Sequence, residues 1–262
     1  MKEFIYMTMP YIEIGTGEPI IFLHGLGNNK HLWDLQHELS STYKLIIPDL
    51  RGHGDNPLKT DITLFNLAAD IFNLMDTLSI DTATICGLSM GGLIAFEMYK
   101  QNPKRITSLI LSNTTSYCVP WLISPKVYEN IQNNSEQDVL NYIVNHSLYK
   151  KTDDTIHSSK KSFTIHKQAF IEASKSCSQA NYSMLLPCIK VPTLIINGIL
   201  DKVTPPILAY QMKFGIPHSR FRSLKSGHLS NIENPKEFNN LINDFMQDKE
   251  VLISRPLSLF YN

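Results

Sequence analysis

The sequence predicts an α/β fold: a mostly parallel sheet flanked by helices, with an inserted helical cap. Two observations carry that expectation. Short apolar, β-rich runs alternate with longer segments of helical period along most of the 262 residues, the signature of strands joined by helical crossovers. The rhythm breaks once, across residues 118–187, where the chain turns polar and helical without any strand pattern. The expected division is therefore a sheet domain over 1–117 and 188–262, with 118–187 as the cap. With 43% hydrophobic residues, one such domain can bury a full core.

The expected strands are 20–23 (IIFL), 44–48 (KLIIP), 82–86 (TATIC), 106–111 (ITSLIL), 193–197 (TLIIN) and 219–224 (SRFRSL). Continuous apolar runs of this length fit strands covered on both faces, as a parallel sheet requires. Helices are expected over 31–39, 63–78, 91–101, 205–214 and 235–246, several of them opened by Pro or by a capping residue. The last dozen residues, VLISRPLSLFYN, follow the final helix and carry enough apolar side chains to pack.

Charge narrows the class of partner. Lys plus Arg and Asp plus Glu both number 24, so no net field draws the chain to nucleic acid or to an anionic membrane. A small-molecule ligand is the expectation. Glu3 interrupts the apolar run a signal peptide would need, and no stretch long enough to span a bilayer occurs, which predicts a cytoplasmic protein. Four cysteines lie without CxxC spacing, and His31 and His37 are too far apart for an i, i+4 pair, so neither metal nor cofactor is expected.

The chemistry concentrates in TATICGLSMGGLIAFEMY, where Gly87-Leu88-Ser89-Met90-Gly91 separates a strand pattern from a helix pattern. This G-x-S-x-G arrangement is a nucleophile elbow, a sharp turn that lifts a serine hydroxyl above the sheet rim. The glycines are needed where neighbouring backbone leaves no room for a Cβ. A serine hydroxyl needs a base, and chains built on this elbow supply it in the order Ser, acid, His. Asp201 follows strand 193–197, and His228 follows strand 219–224 beside Gly227. Each alone has a plainer reading, Asp201 as a helix cap and His228 as a loop residue bonded to backbone. Three such residues in the required order at three strand ends point to a triad. After strand 106–111, another place where an acid can stand, the chain has Asn113 and Thr114, which leaves Asp201.

An oxyanion needs two backbone N–H donors. Met90, after the nucleophile, is expected to give one, and Leu26, in the loop His24-Gly25-Leu26-Gly27, the other. His24 is expected to bond backbone rather than act as a base. Asp49, Arg51, His53 and Asp55, in DLRGHGDNP, are expected to brace their loop.

From HGLG through DLRGHGDNP and GLSMGG to GHLSNIENP, the chain resembles the α/β-hydrolase superfamily. More narrowly, ICGLSMGGL, SNTT and GHLSNIENPKEFN look like the 3-oxoadipate enol-lactonase group. That resemblance implies hydrolysis of a small carboxylic ester or lactone through an acyl-enzyme, without cofactor, under a four-helix cap. It carries over Ser89, Asp201 and His228 as the triad, with Leu26 and Met90 at the oxyanion hole. The cap is rich in lysine, with Lys150, Lys151, Lys160, Lys161, Lys167 and Lys175 against Asp153, Asp154 and Glu172. A basic cap also resembles the carboxylesterases of biotin synthesis, which release pimeloyl from the methyl ester carried on an acidic acyl carrier protein. Trp121, Tyr128, Tyr142 and Phe163 could wall an apolar tunnel for such a chain, with Tyr142 as a substrate-binding candidate. Water and other acyl acceptors are not separated by residue type, because that choice depends on water exclusion around the acyl-enzyme.

Overall fold

A computed structural model describes residues 9–118, 129 and 131–254, with side chains to Lys249. Seven strands form one sheet in the order β1-β3-β2-β4-β5-β6-β7. They are β1 (Tyr11–Ile14), β2 (Pro19–Leu23), β3 (Lys44–Pro48), β4 (Ala83–Leu88), β5 (Ile106–Ser112), β6 (Thr193–Gly198) and β7 (Ser219–Leu224). Only β1 runs antiparallel, paired with β3 from Tyr11 opposite Pro48 to Ile14 opposite Leu45. The other pairs are parallel.

The apolar runs are explained by two cores, one on each face. Ile21, Leu23, Ile46, Ile85, Leu109 and Ile195 point into one; their alternates Ile20, Phe22, Leu45, Cys86, Ile110 and Leu194 point into the other. Side chains alternate across a strand, so only an unbroken apolar run can satisfy both layers. Helices α1 (Leu64–Thr77) and α2 (Met90–Gln101) cover the first face, while α8 (Pro235–Ser254) and a 3-10 helix over Lys30–Ser41 cover the second. Helix α1 starts at Thr63, whose side chain accepts the Asn66 N–H, and buries Leu64, Leu67, Ala68, Ile71, Leu74 and Met75. That is an apolar stripe at helical spacing.

Between β5 and β6 the described chain carries helices α3 (Glu136–Ser147), α4 (Asp153–Lys161) and α5 (Lys167–Ser178), and no strand longer than an isolated bridge. Helices α6 (Pro206–Gly215) and α7 (Ser230–Glu233) follow β6 and β7. Among the described residues no helix is long and apolar enough to cross a membrane.

Three expectations need correction. Strand β1 was not anticipated: at four half-exposed residues on the sheet edge, it buries too little for its apolar pattern to stand out. The helix expected over 31–39 winds as a 3-10 helix; residues three apart share a face in either winding, so over so short a segment apolar spacing does not separate them. The final helix runs to Ser254 and absorbs the start of the supposed tail. Residues 255–262 lie outside the described residues.

Candidate active site

The C-terminal ends of β2, β4, β5, β6 and β7 meet at one rim and place His24 to Gly27, Ser89, Asn113, Asp201 and His228 there. Ser89 ends β4 with φ 55° and ψ −116°, a left-handed conformation that costs a side-chain-bearing residue on the order of 1–3 kcal/mol. The turn is held by the Ser89 N–H donating to Ser112 O at 3.1 Å, and by Thr114 Oγ1 donating to Ser89 O at 2.7 Å. The flanking glycines are sterically required. A Cβ on Gly87 would lie 2.3 Å from Gly91 O, and one on Gly91 would lie 2.1 Å from Leu23 O.

Asp201 is buried, and its two oxygens accept five hydrogen bonds. Oδ1 takes the N–H groups of Val203 and Thr204 at 2.8 and 2.9 Å. Oδ2 takes Asn113 Nδ2 at 3.0 Å, Thr204 Oγ1 at 2.7 Å and His228 Nδ1 at 2.9 Å. Burial pushes this carboxyl up, but His228, Asn113 and Thr204 outweigh it and hold it below the usual aspartate value. Asp201 thus closes its own turn through one oxygen and meets His228 through the other. Because a carboxylate only accepts, the proton sits on His228 Nδ1, and Nε2 is the nitrogen left to act as a base. Ser89 Oγ is not hydrogen-bonded to His228 here, and such contacts commonly tighten when substrate arrives. Thr204 connects the groups: it bonds both Asp201 and His228 and lines the cavity at Ser89.

That cavity, of about 110 Å³, is walled by Leu26, Met90, Leu93, Thr114, Val203 and Thr204 together with Ser89. Leu26 and Met90 thus both line the cavity at Ser89. Tyr142 does not line it: it is 47% exposed on α3 and packs against His146 in a tilted ring pair with centroids 3.9 Å apart. Phe163 is buried, paired by an isolated bridge with Asn28; Trp121 and Tyr128 lie outside the described residues. Three larger clefts are present, 490 Å³ beside Glu97 and Tyr182, 370 Å³ beside Arg220 and Asp248, and 700 Å³ beside Tyr149 and Leu200; none is lined by Ser89, though the last is lined by Asp201.

The loop carrying Leu26 is braced from below. His24 is fully buried; its Nδ1 donates to Gly25 O at 2.9 Å and its Nε2 accepts the Leu50 N–H at 3.1 Å, which spends both nitrogens on backbone. Asp49 accepts the Lys30 N–H and Nζ and the Asp55 N–H, and Arg51 pairs with Asp70. His53 packs against His24 with centroids 5.2 Å apart. Burial lowers His24 to about 4 and His53 to about 3. Both folded-state values lie below the unfolded imidazole value, so the unfolded chain takes up these protons first as pH falls. The contribution of these two histidines to stability is flat above about pH 6.5 and declines below it, by about 2 kcal/mol from each at pH 5. Chemical denaturation at pH 7.5 and at pH 5 should show this drop, and His24→Gln should shrink it. Equal midpoints at the two pH values would contradict the burial of these rings.

Asn113, Thr204 and Glu233 are the site residues that sequence reasoning missed. Asn113 was read only as a place where an acid is absent, whereas it donates to both Asp201 and Gly227 O. The contacts that give Thr204 and Glu233 their place, Thr204 to His228 across 24 positions and Glu233 to Tyr149 and Lys150 across 84 and 83, leave no local spacing to read.

A strained serine at the elbow, a buried aspartate–histidine pair and a mostly parallel seven-stranded sheet define an α/β hydrolase. The chain belongs to the α/β hydrolase fold family, which it matches over residues 18–235. Among curated relatives it is 28% identical to 3-oxoadipate enol-lactonase 1 of Acinetobacter baylyi, with 87% of this chain and 88% of that protein covered. It is 26% identical to a 2-hydroxy-6-oxononadienedioate/2-hydroxy-6-oxononatrienedioate hydrolase of a Pseudomonas species, over 89% and 90% of the two chains. Among solved structures, the enol-lactonase from Burkholderia xenovorans LB400 superposes with a TM-score of 0.84 at 25% identity, covering 91% and 96%. A thermophilic esterase from Thermogutta terrifontis shares the fold at the same TM-score, with 24% identity and 92% and 93% coverage.

Proposed function

We propose that the protein cleaves a small carboxylic ester or lactone through an acyl-enzyme. Ser89 Oγ attacks the carbonyl carbon as His228 Nε2 takes its proton, and Asp201 holds the resulting imidazolium. The backbone N–H groups of Leu26 and Met90 receive the oxyanion. The protonated His228 then gives its proton to the leaving alkoxide, and water repeats the sequence in reverse to free the acid. One observation carries the reading: the buried 2.9 Å bond between His228 Nδ1 and Asp201 Oδ2, in a cluster whose Thr204 also lines the Ser89 cavity. The cavity is far below the roughly 300–1,000 Å³ of sites for drug-sized ligands, which favours a short acyl group. The enol-lactone acted on by the Acinetobacter relative is one member of that class. In this reading 118–187 is the cap and 1–117 with 188–262 the catalytic core, working in the cytoplasm without a cofactor.

A second reading, release of pimeloyl from an acyl carrier protein methyl ester, draws on Lys150 and Lys151, exposed in the link between α3 and α4. Attraction to an acidic carrier is screened by salt, whereas cleavage of a small neutral ester is not. The expected result for Lys150→Glu with Lys151→Glu is kcat/KM on p-nitrophenyl acetate within about twofold of wild type at low and high salt. A strong preference for the carrier conjugate, lost in salt and on charge reversal, would replace the small-ester reading with the carrier one.

A further inference from the structure

The loop that carries His228 is held by a carboxylate for which the steps above have no use. Glu233, on α7, is 4% exposed. Its Oε1 accepts the Gly227 N–H at 2.8 Å, while Oε2 accepts the N–H groups of Lys150 and Tyr149 at 2.6 and 3.2 Å. One side chain thus joins the residue before His228 to the stretch between α3 and α4. The same seam is closed by the His228 N–H, which donates to Ser147 O at 2.7 Å. On the opposite side, Gly227 O accepts Asn113 Nδ2 at 3.2 Å. The polar backbone groups from Gly227 N to His228 N are therefore fixed by three separate segments of chain. The packing is close enough that a Cβ on Gly227 would lie 2.6 Å from Ser147 O and 3.0 Å from Glu233 Oε1.

The donor set explains why this residue is a glutamate. Three N–H groups converge on it from two segments, and only a carboxylate offers acceptors on both oxygens; an amide would turn its NH₂ against at least one donor. Burial raises the Glu233 carboxyl above its ordinary value, and the three N–H donors pull it back. A charged group buried this deeply is expensive unless it is hydrogen-bonded, and these three donors, which come from two segments of chain, provide that compensation.

We propose that Glu233 is a positioning residue for the reaction, tying Gly227 to the backbone at 149 and 150 so that His228 stays aligned with Asp201. The stretch 147–150 is then held against the loop that carries His228. This inference rests on His228 being the base, as proposed above.

The test compares wild type, Glu233→Gln and His228→Ala on p-nitrophenyl acetate, well below each melting temperature. The rate of Ser89 labelling by a serine-directed phosphonate is measured alongside. Misplacing a base by a fraction of an ångström is expected to lower kcat of Glu233→Gln about ten- to a hundredfold, with KM within about twofold of wild type. Phosphonate labelling should slow by the same factor, since it needs the same base. A merely structural Glu233 would lower the melting temperature while kcat and labelling stay at wild-type rates, and that result overturns the proposal. Activity surviving in His228→Ala overturns the reading of the site instead. Should Glu233→Gln not fold, Glu233→Asp, which keeps the charge one methylene short, is judged by the same kcat criterion. If that variant also fails to fold, Glu233 is a folding residue and the positioning role is wrong.

Discussion

Replacing Ser89 with alanine should lower turnover of a small aryl ester by about a millionfold, since removing the nucleophile of a triad costs as much as removing the whole triad. The fold should be untouched. Alanine meets the same left-handed φ of 55° as serine, and the bonds that hold the elbow, from Ser89 N–H to Ser112 O and from Thr114 Oγ1 to Ser89 O, use only backbone of residue 89. The measurement is steady-state turnover on protein free of any contaminating esterase, with circular dichroism and a melting curve beside it. Turnover above about a tenth of wild type would falsify Ser89 as nucleophile. A serine-directed phosphonate should add once per chain, at Ser89, and a modified peptide from elsewhere would move the active site.

Asp201→Asn should lower turnover by roughly ten-thousandfold, the scale set by the corresponding change in the serine-protease triad. An amide nitrogen in place of one oxygen no longer accepts from His228 Nδ1, so the proton shifts to the nitrogen that must act as the base. The structure adds a second consequence. Five donors converge on the two carboxylate oxygens, and an asparagine has only one oxygen for them. At least one buried donor is left facing an NH₂ group, at about 1–3 kcal/mol of stability. Asp201→Asn should therefore be both inactive and less stable, while Ser89→Ala is inactive at wild-type stability. A nearly silent Asp201→Asn, with another carboxylate proving essential, would redraw the triad.

The contrast between these variants follows what each residue owes to local and to distant structure. The elbow is local: strand, two close-approach glycines and helix are contiguous, so GLSMG can be read without knowing the rest of the chain. Asp201 and His228 were legible through their order and their strand-end positions. The expected brace at His24 and around Asp49 was legible too, because charged residues on a loop at the rim commonly tie its backbone together. Tyr142 shows the limit of such reading. An aromatic residue in an amphipathic segment fits a binding wall or a solvent face equally well, and its neighbour His146, four residues on, keeps it on the outer one.

What the sequence determined by itself was the layered α/β architecture, the elbow at Ser89 and the chain order of its partners, because each is written in spacing: unbroken apolar runs, a glycine-flanked serine, strand ends. What only the tertiary structure decided was how those partners are held. Asn113 meets Asp201 across 88 positions and Glu233 meets Lys150 across 83. Contacts of that separation leave no periodicity in the chain. They arise when parallel strands bring their C-terminal ends to one rim and helices from a distant segment close over it. The identity of each partner is then set by which donors lack an acceptor at the seam, a quantity that exists only once the backbone is folded.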